Sequence, residues 1–157
     1  MNVSKIDACI RELEAAIQSF NENNIKLSAN GGNSVLFMCP PMEEKQYIVR
    51  MRENLNQEKY QFLDMNKLLV EFIDENKDEI ELKFKLLKNS YSQIFRLPQG
   101  EEGNDLFGMI ISAIFRAYDN EKIPVIIGVG ALNGTDIENI HIMENEVVMK
   151  AKRPLVI

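Results

Sequence analysis

Few residue groups in this chain have the types and spacing to do chemistry. The turn Cys39-Pro40-Pro41-Met42-Glu43-Glu44-Lys45 follows an apolar run, the place where a P-loop would wrap phosphate in backbone N–H groups. Here it holds no glycine, its two prolines remove N–H donors, and its two carboxylates repel polyphosphate. The segment Gly128-Val129-Gly130-Ala131-Leu132-Asn133-Gly134 lies between a strand-like run and a helix-like run. That is the setting of a dinucleotide fingerprint, but the spacing is G-x-G-x-x-x-G rather than G-x-G-x-x-G. Such glycines also serve tight turns and close packing. Gly100-Glu101-Glu102-Gly103 reads as a solvated loop.

His141 is the sole histidine, so a multi-histidine metal site and a two-histidine acid–base pair are both excluded. Ser90 and Ser92 lack a G-x-S-x-G context. Acidic runs such as Asp74-Glu75 and Glu43-Glu44 are interleaved with lysines and read as solvated faces. Lys83, Lys85 and Lys88, and Lys150, Lys152 and Arg153, form two small basic clusters. The formal net charge of −6 argues against a generally basic nucleic-acid-binding surface. Cys9 and Cys39 read as small buried hydrophobes rather than a disulfide framework. The sequence therefore predicts no catalytic residues, no cofactor and no metal.

The elements that position these residues follow from periodicity. Residues 4–25 read as an amphipathic helix with Ser4 and Asp7 as a capping box and Ile6, Ile10, Leu13, Ile17 and Phe20 on one face. Ser34 to Cys39 reads as a buried strand ended by Pro40-Pro41, and residues 42–56 as a helix. Tyr60 to Met65 is a second strand, followed by a helix capped by Asp64 or Asn66 and running to Glu75. Residues 79–95 alternate like a strand at Ile80, Leu82, Phe84 and Leu86, but their Leu, Lys and Glu content favours a helix. A helix over 105–119 and a central strand over Ile123 to Val129 come next. Thr135 and Glu138 read as the capping box of a helix to Ala151, and Arg153 to Ile157 as a fourth strand in which the sequence stops.

Strands alternating with helices predict a three-layer α/β fold, a mostly parallel sheet with flanking helices, on a P-loop-like or Rossmann-like scaffold lacking a nucleotide motif. With 157 residues the reading is a single domain, 1–157, cut at its C-terminal strand. No signal-like N-terminus and no apolar run near the roughly 20 residues of a membrane span is present, so the expected location is cytoplasmic.

Four segments together resemble a known family: Val35-Leu36-Phe37-Met38-Cys39-Pro40-Pro41, Phe62-Leu63-Asp64-Met65-Asn66-Lys67-Leu68-Leu69, Ile123-Pro124-Val125-Ile126-Ile127-Gly128-Val129-Gly130-Ala131-Leu132, and Arg153-Pro154-Leu155-Val156-Ile157. The set is similar to the BrxB family of the bacteriophage-exclusion (BREX) defence systems. Members usually continue past the last strand with an aromatic-Pro-Gly segment and a polar tail. The resemblance implies a non-enzymatic interaction or scaffold component of an anti-phage complex. Its expected partner is a PglZ-type protein of alkaline-phosphatase fold, beside other defence-system components. It implies no membrane and no direct nucleic-acid contact. The expected partner surface is the loop edge at the carboxyl ends of the strands, with Pro40, Pro41, Met65, Asn66, Gly130, Asn133 and Thr135. The alternative is a nucleotide-binding regulator or enzyme on a degenerate NTPase-like or Rossmann-like scaffold, using Gly128, Gly130 and Thr135. A third reading is an acidic mimic or nucleic-acid-associated factor.

Overall fold

The computed structural model describes residues 3–18 and 32–157. Among them, four parallel strands form one sheet in the order β1-β4-β3-β2, with β1 Ser34–Val35, β2 Tyr60–Asp64, β3 Ile123–Ile127 and β4 Leu155–Val156. The helices are α1 (Val3–Gln18), α2 (Glu44–Asn54), α3 (Met65–Glu75), α4 (Lys77–Leu86), α5 (Leu106–Asp119), α6 (Asn139–Met143) and α7 (Glu146–Met149). Helices cover both faces, so the expected three-layer α/β arrangement is the observed one. No helix among the described residues is long and apolar enough to cross a membrane.

Alternation along the strands sorts side chains into two cores, as the pleat requires. Tyr60, Ile123, Val125, Ile127 and Val156 meet the buried stripes of α1 and α2, including Ile6, Ile10, Leu13, Ile17, Tyr47 and Met51. Leu63, Ile126, Leu155 and Ile157 meet α3 and α5 through Phe72, Leu106, Ile110 and Ile114. The face expected for the first helix is thus the buried one, while Phe20 and residues 19–25 lie outside the described residues. Ser4 and Asp7 sit inside α1 rather than capping it. Asp7 instead accepts two bonds from Arg50 of α2, Nε at 2.9 Å and Nη2 at 2.7 Å, and the guanidinium holds its carboxyl below the usual carboxylate range.

Three further expectations are corrected. Ser34 to Cys39 is not a fully buried strand. It is an edge strand whose ladder to β4 continues past Val35, with Ile157 N–H donating to Val35 O (3.0 Å) and Phe37 N–H to Ile157 O (2.8 Å). Val35, Phe37 and Cys39 face a core, whereas Leu36 and Met38 face out. Residues 79–95 are not one helix. α4 holds the alternating residues but buries only Ile80 of them, leaving Leu82, Phe84 and Leu86 exposed; it ends at Leu86, and a 3-10 turn over Tyr91–Ile94 follows. The single helix expected from Thr135 to Ala151 is two short ones. Asn145 caps the second by accepting from Val147 N–H.

Buried Asn33, just before β1, ties the first strand to the last. Its Nδ2 lies 2.9–3.0 Å from the carbonyls of Val148, Ala151 and Arg153, which form the approach to β4. Asn33→Ala leaves those carbonyls short of a donor, at a cost of roughly 1–3 kcal/mol. Asn33→Asp is expected to cost more, since it turns a carboxylate toward three carbonyl oxygens. Urea unfolding of the two variants checks the order.

The hydroxyls of Tyr60 and Tyr118 are buried without a partner among the described residues. Burial, aided by the Glu14 carboxylate, pushes Tyr60 up to about 12, and burial pushes Tyr118 up as well. The unfolded chain loses these protons near the ordinary tyrosine value of about 10. The native state therefore binds more protons above that pH, and the contribution, complete below about 10, fades as pH rises toward 12. Unfolding midpoints are expected to fall over that window. The double variant Tyr60→Phe, Tyr118→Phe is expected to flatten the decline.

Candidate functional site

In a parallel sheet every strand ends on the same rim, and binding surfaces of α/β folds lie there. Pro40 and Pro41 end the extended stretch after β1, and Pro41 opens a 3-10 turn, Pro41–Glu43, that leads into α2. Asp64 ends β2 and caps α3, its carboxylate accepting from Asn66 N–H at 3.0 Å. Gly128 follows β3 with φ +69°, and a 3-10 turn over Val129–Leu132 follows it.

The Gly128 turn leans on the end of β2. A Cβ placed on Gly128 would sit 2.4 Å from Asn66 Nδ2 and 3.2 Å from Asp64 Oδ1. Two constraints therefore select glycine here, the left-handed φ and the close approach. The first glycine of the sequence motif serves chain geometry.

Between α2 and the ends of β1, β3 and β4 lies an open, mainly apolar cleft of about 430 Å3. Phe37, Tyr47, Met51, Ile127 and Ile157 line its walls, and Gly128 and Gly130 its mouth. On the β1 side stand three apolar side chains in water: Leu36 is 53% exposed, Met38 81% and Met42 95%. A second, more polar cleft of about 290 Å3 adjoins it, lined by Glu44, Lys45, Arg52, Asp64, Asn66 and Gly130 among others. The Arg52 guanidinium there lies 4.9 Å from the Phe62 ring centroid.

Cys39 is free and half-buried at the first cleft. Burial pushes its thiol up, and the Glu44 and Glu43 carboxylates push it further, so it holds its proton. A nucleophilic cysteine needs the opposite environment. No cluster of three or more metal-ligating side chains occurs among the described residues.

The expected surface residues separate. Pro40, Pro41, Asn66, Gly130 and Asn133 are exposed. Met65 is fully buried in the α3–α5 core, and Thr135 is buried too. The Thr135 hydroxyl donates to Leu132 O at 2.6 Å and accepts from Ile137 N–H at 3.3 Å, closing a turn rather than starting a long helix. It is thus spent inside the chain and not presented beside Gly128 and Gly130. Glu138 precedes α6, and its N–H donates to His141 Nδ1 at 3.0 Å. His141 Nε2 lies 3.3 Å from Arg96 Nη1.

Leu36, Met38, Met42 and Glu44 are the site residues that the sequence reading missed. A signal for the first two exists in the alternation of Val35, Phe37 and Cys39 against Leu36 and Met38.

Comparison of the chain with protein-family models, with curated proteins and with solved structures returns no match.

Gly128→Ala is expected to destabilise the protein by more than the roughly 1–2 kcal/mol of left-handed backbone strain alone. Adding Asn66→Ala, which removes the side chain that the new Cβ meets, is expected to recover the excess and leave the strain. A thermal or urea double-mutant cycle reads that coupling.

Proposed function

We propose that this chain is a non-catalytic interaction module that holds a larger protein at the carboxyl rim of its sheet. The observation that carries this reading is that Leu36 and Met38 are left in water at an apolar cleft, with Met42 exposed on the turn that follows. Large side chains grouped in this way next to a concavity are characteristic of protein-binding surfaces. The setting of Cys39 and of Thr135 supports the same reading, since neither residue is poised for chemistry or for phosphate.

The resemblance to the BrxB family extends the proposal to a biological setting, a BREX-type anti-phage complex in the cytoplasm with a PglZ-type protein as partner. Three of the four segments that carry the resemblance end at this rim: Cys39-Pro40-Pro41, Ile127-Gly128-Val129-Gly130 and Val156-Ile157. The fourth supplies Asp64 and Asn66, against which the Gly128 turn rests.

The test is a pull-down and calorimetric titration against a co-encoded PglZ-type protein, with wild type, Met42→Glu and Asn133→Arg. Both side chains are exposed, so circular dichroism is expected to report unchanged folding. An unpaired charge forced into an interface costs several kcal/mol, so at least one variant is expected to lose most of its affinity. No association of wild type at micromolar concentration would remove the proposed partner.

A further inference from the structure

The chemistry of the cleft restricts what can occupy it. Its walls are mainly apolar, and among the described residues Glu44 is the single charged side chain that lines it. Glu43 lies one residue earlier on the exposed 3-10 turn. Neither carboxylate has an ion-pair partner among the described residues. Both press on the cleft, since both raise the Cys39 thiol within it. Glu44 also borders the adjoining cleft, where Lys45 and Arg52 stand, but neither cation forms an ion pair with it among the described residues.

We propose that this cleft takes a short segment of the partner in which a bulky aliphatic residue stands beside an arginine or lysine. The aliphatic side chain fills the space between Phe37, Tyr47 and Ile127, and the cation bonds to Glu44 at the mouth. Leu36, Met38 and Met42 form the apolar shoulder along which the segment lies. At about 430 Å3 the cleft falls within the roughly 300–1,000 Å3 of ordinary ligand pockets, room enough for side chains of this size. An acidic segment is disfavoured, because it would bring a carboxylate to unpaired Glu44 in surroundings where charge is poorly screened. Methionine flanks suit such a site, since unbranched thioethers adapt to the shape of an inserted side chain. This inference rests on the interaction-module reading and names the partner chemistry that the reading leaves open.

The probe is a fluorescein-labelled Gly-Leu-Arg-Leu-Arg-Gly peptide against its Gly-Leu-Glu-Leu-Glu-Gly twin, by anisotropy with the whole chain. The arginine peptide is expected to bind at least about tenfold tighter, with affinity falling as salt rises. Glu44→Gln keeps the shape of the side chain and is expected to erase most of that preference. Leu36→Asp is expected to weaken both peptides. Circular dichroism and the melting temperature exclude misfolding. Equal binding of the twins, a preference for the glutamate peptide, or a preference unchanged in Glu44→Gln would overturn the inference. So would self-association abolished by Leu36→Asp without peptide binding, which would assign the face to a second copy of this chain.

A parallel pull-down with the PglZ-type protein separates the two levels. Equal capture by wild type and Glu44→Gln, with no peptide preference, leaves the module reading standing and removes this recognition mode. A clear peptide preference without capture keeps the cleft chemistry and removes that partner.

Discussion

The fold depends on a strand that has no exposed face. All five residues of Ile123–Ile127 are buried, Pro124 among them. A strand of this kind is stable only with a hydrogen-bonded neighbour on each side and a helical layer above and below. β2 runs in register along its whole length, Tyr60 opposite Ile123 through Asp64 opposite Ile127, and β4 meets it at Val125. The pleat then sends Ile123, Val125 and Ile127 toward α1 and α2, and Ile126 toward α3 and α5. Pro124 lacks an N–H, which confines it to strand positions where no ladder bond is needed.

The position of the cleft follows from this arrangement. Parallel strands deliver all their ends to one rim. The chain must leave β3 without colliding with the end of β2, which Gly128 achieves by a left-handed turn against Asp64 and Asn66. β1 lies at the sheet edge beside β4 rather than at the centre. Its inward residues Val35 and Phe37 are packed, but on the other face the flanking layer does not reach Leu36 and Met38. The exposed row is thus a consequence of strand order. An edge strand that carries such side chains is ordinarily a liability, which natural sequences shield with charge or proline. Here the prolines come only at 40 and 41, after Leu36 and Met38.

What the sequence made legible was everything governed by local periodicity. The α1 stripe up to Ile17, the helix over 105–119, the central strand from Ile123, which ends at Ile127 rather than Val129, and the Asp64 cap offered beside Asn66 could be read from spacing and residue type, and they are observed. What it hid was decided by neighbours far along the chain. A six-residue apolar run looks the same whether it sits at the centre of a sheet or at its edge, so Ser34 to Cys39 read as buried. Thr135 and Glu138 have the spacing of a capping box, but Thr135 finds Leu132 O and the helix begins later. Met65 and Thr135 are close in sequence to rim residues, yet their side chains turn into the core. Nothing in the local sequence marks Asn33, because its three carbonyl partners come from residues 148 to 153.

One electrostatic feature bears on each functional reading. The Glu43 and Glu44 carboxylates sit where a phosphate-binding α/β domain would offer a glycine-rich turn of N–H donors, and two prolines precede them. At the Pro40–Glu44 turn a polyphosphate would meet repulsion with few backbone donors to offset it, although Lys45 and Arg52 line the adjoining cleft. Burial raises the Cys39 thiol and the same two charges raise it further, which works against a thiolate nucleophile. Toward a cation they act in the opposite sense, and more strongly near an apolar wall than in open water, because less solvent stands between the charges. A partner that carries a basic residue next to an aliphatic one would satisfy both the carboxylate and the hydrocarbon surface at once. A phosphate or an acidic peptide would satisfy neither. The local field at the end of β1 thus weighs against the nucleotide alternative and toward the protein-binding one, through residues contiguous in the sequence, Cys39 to Glu44.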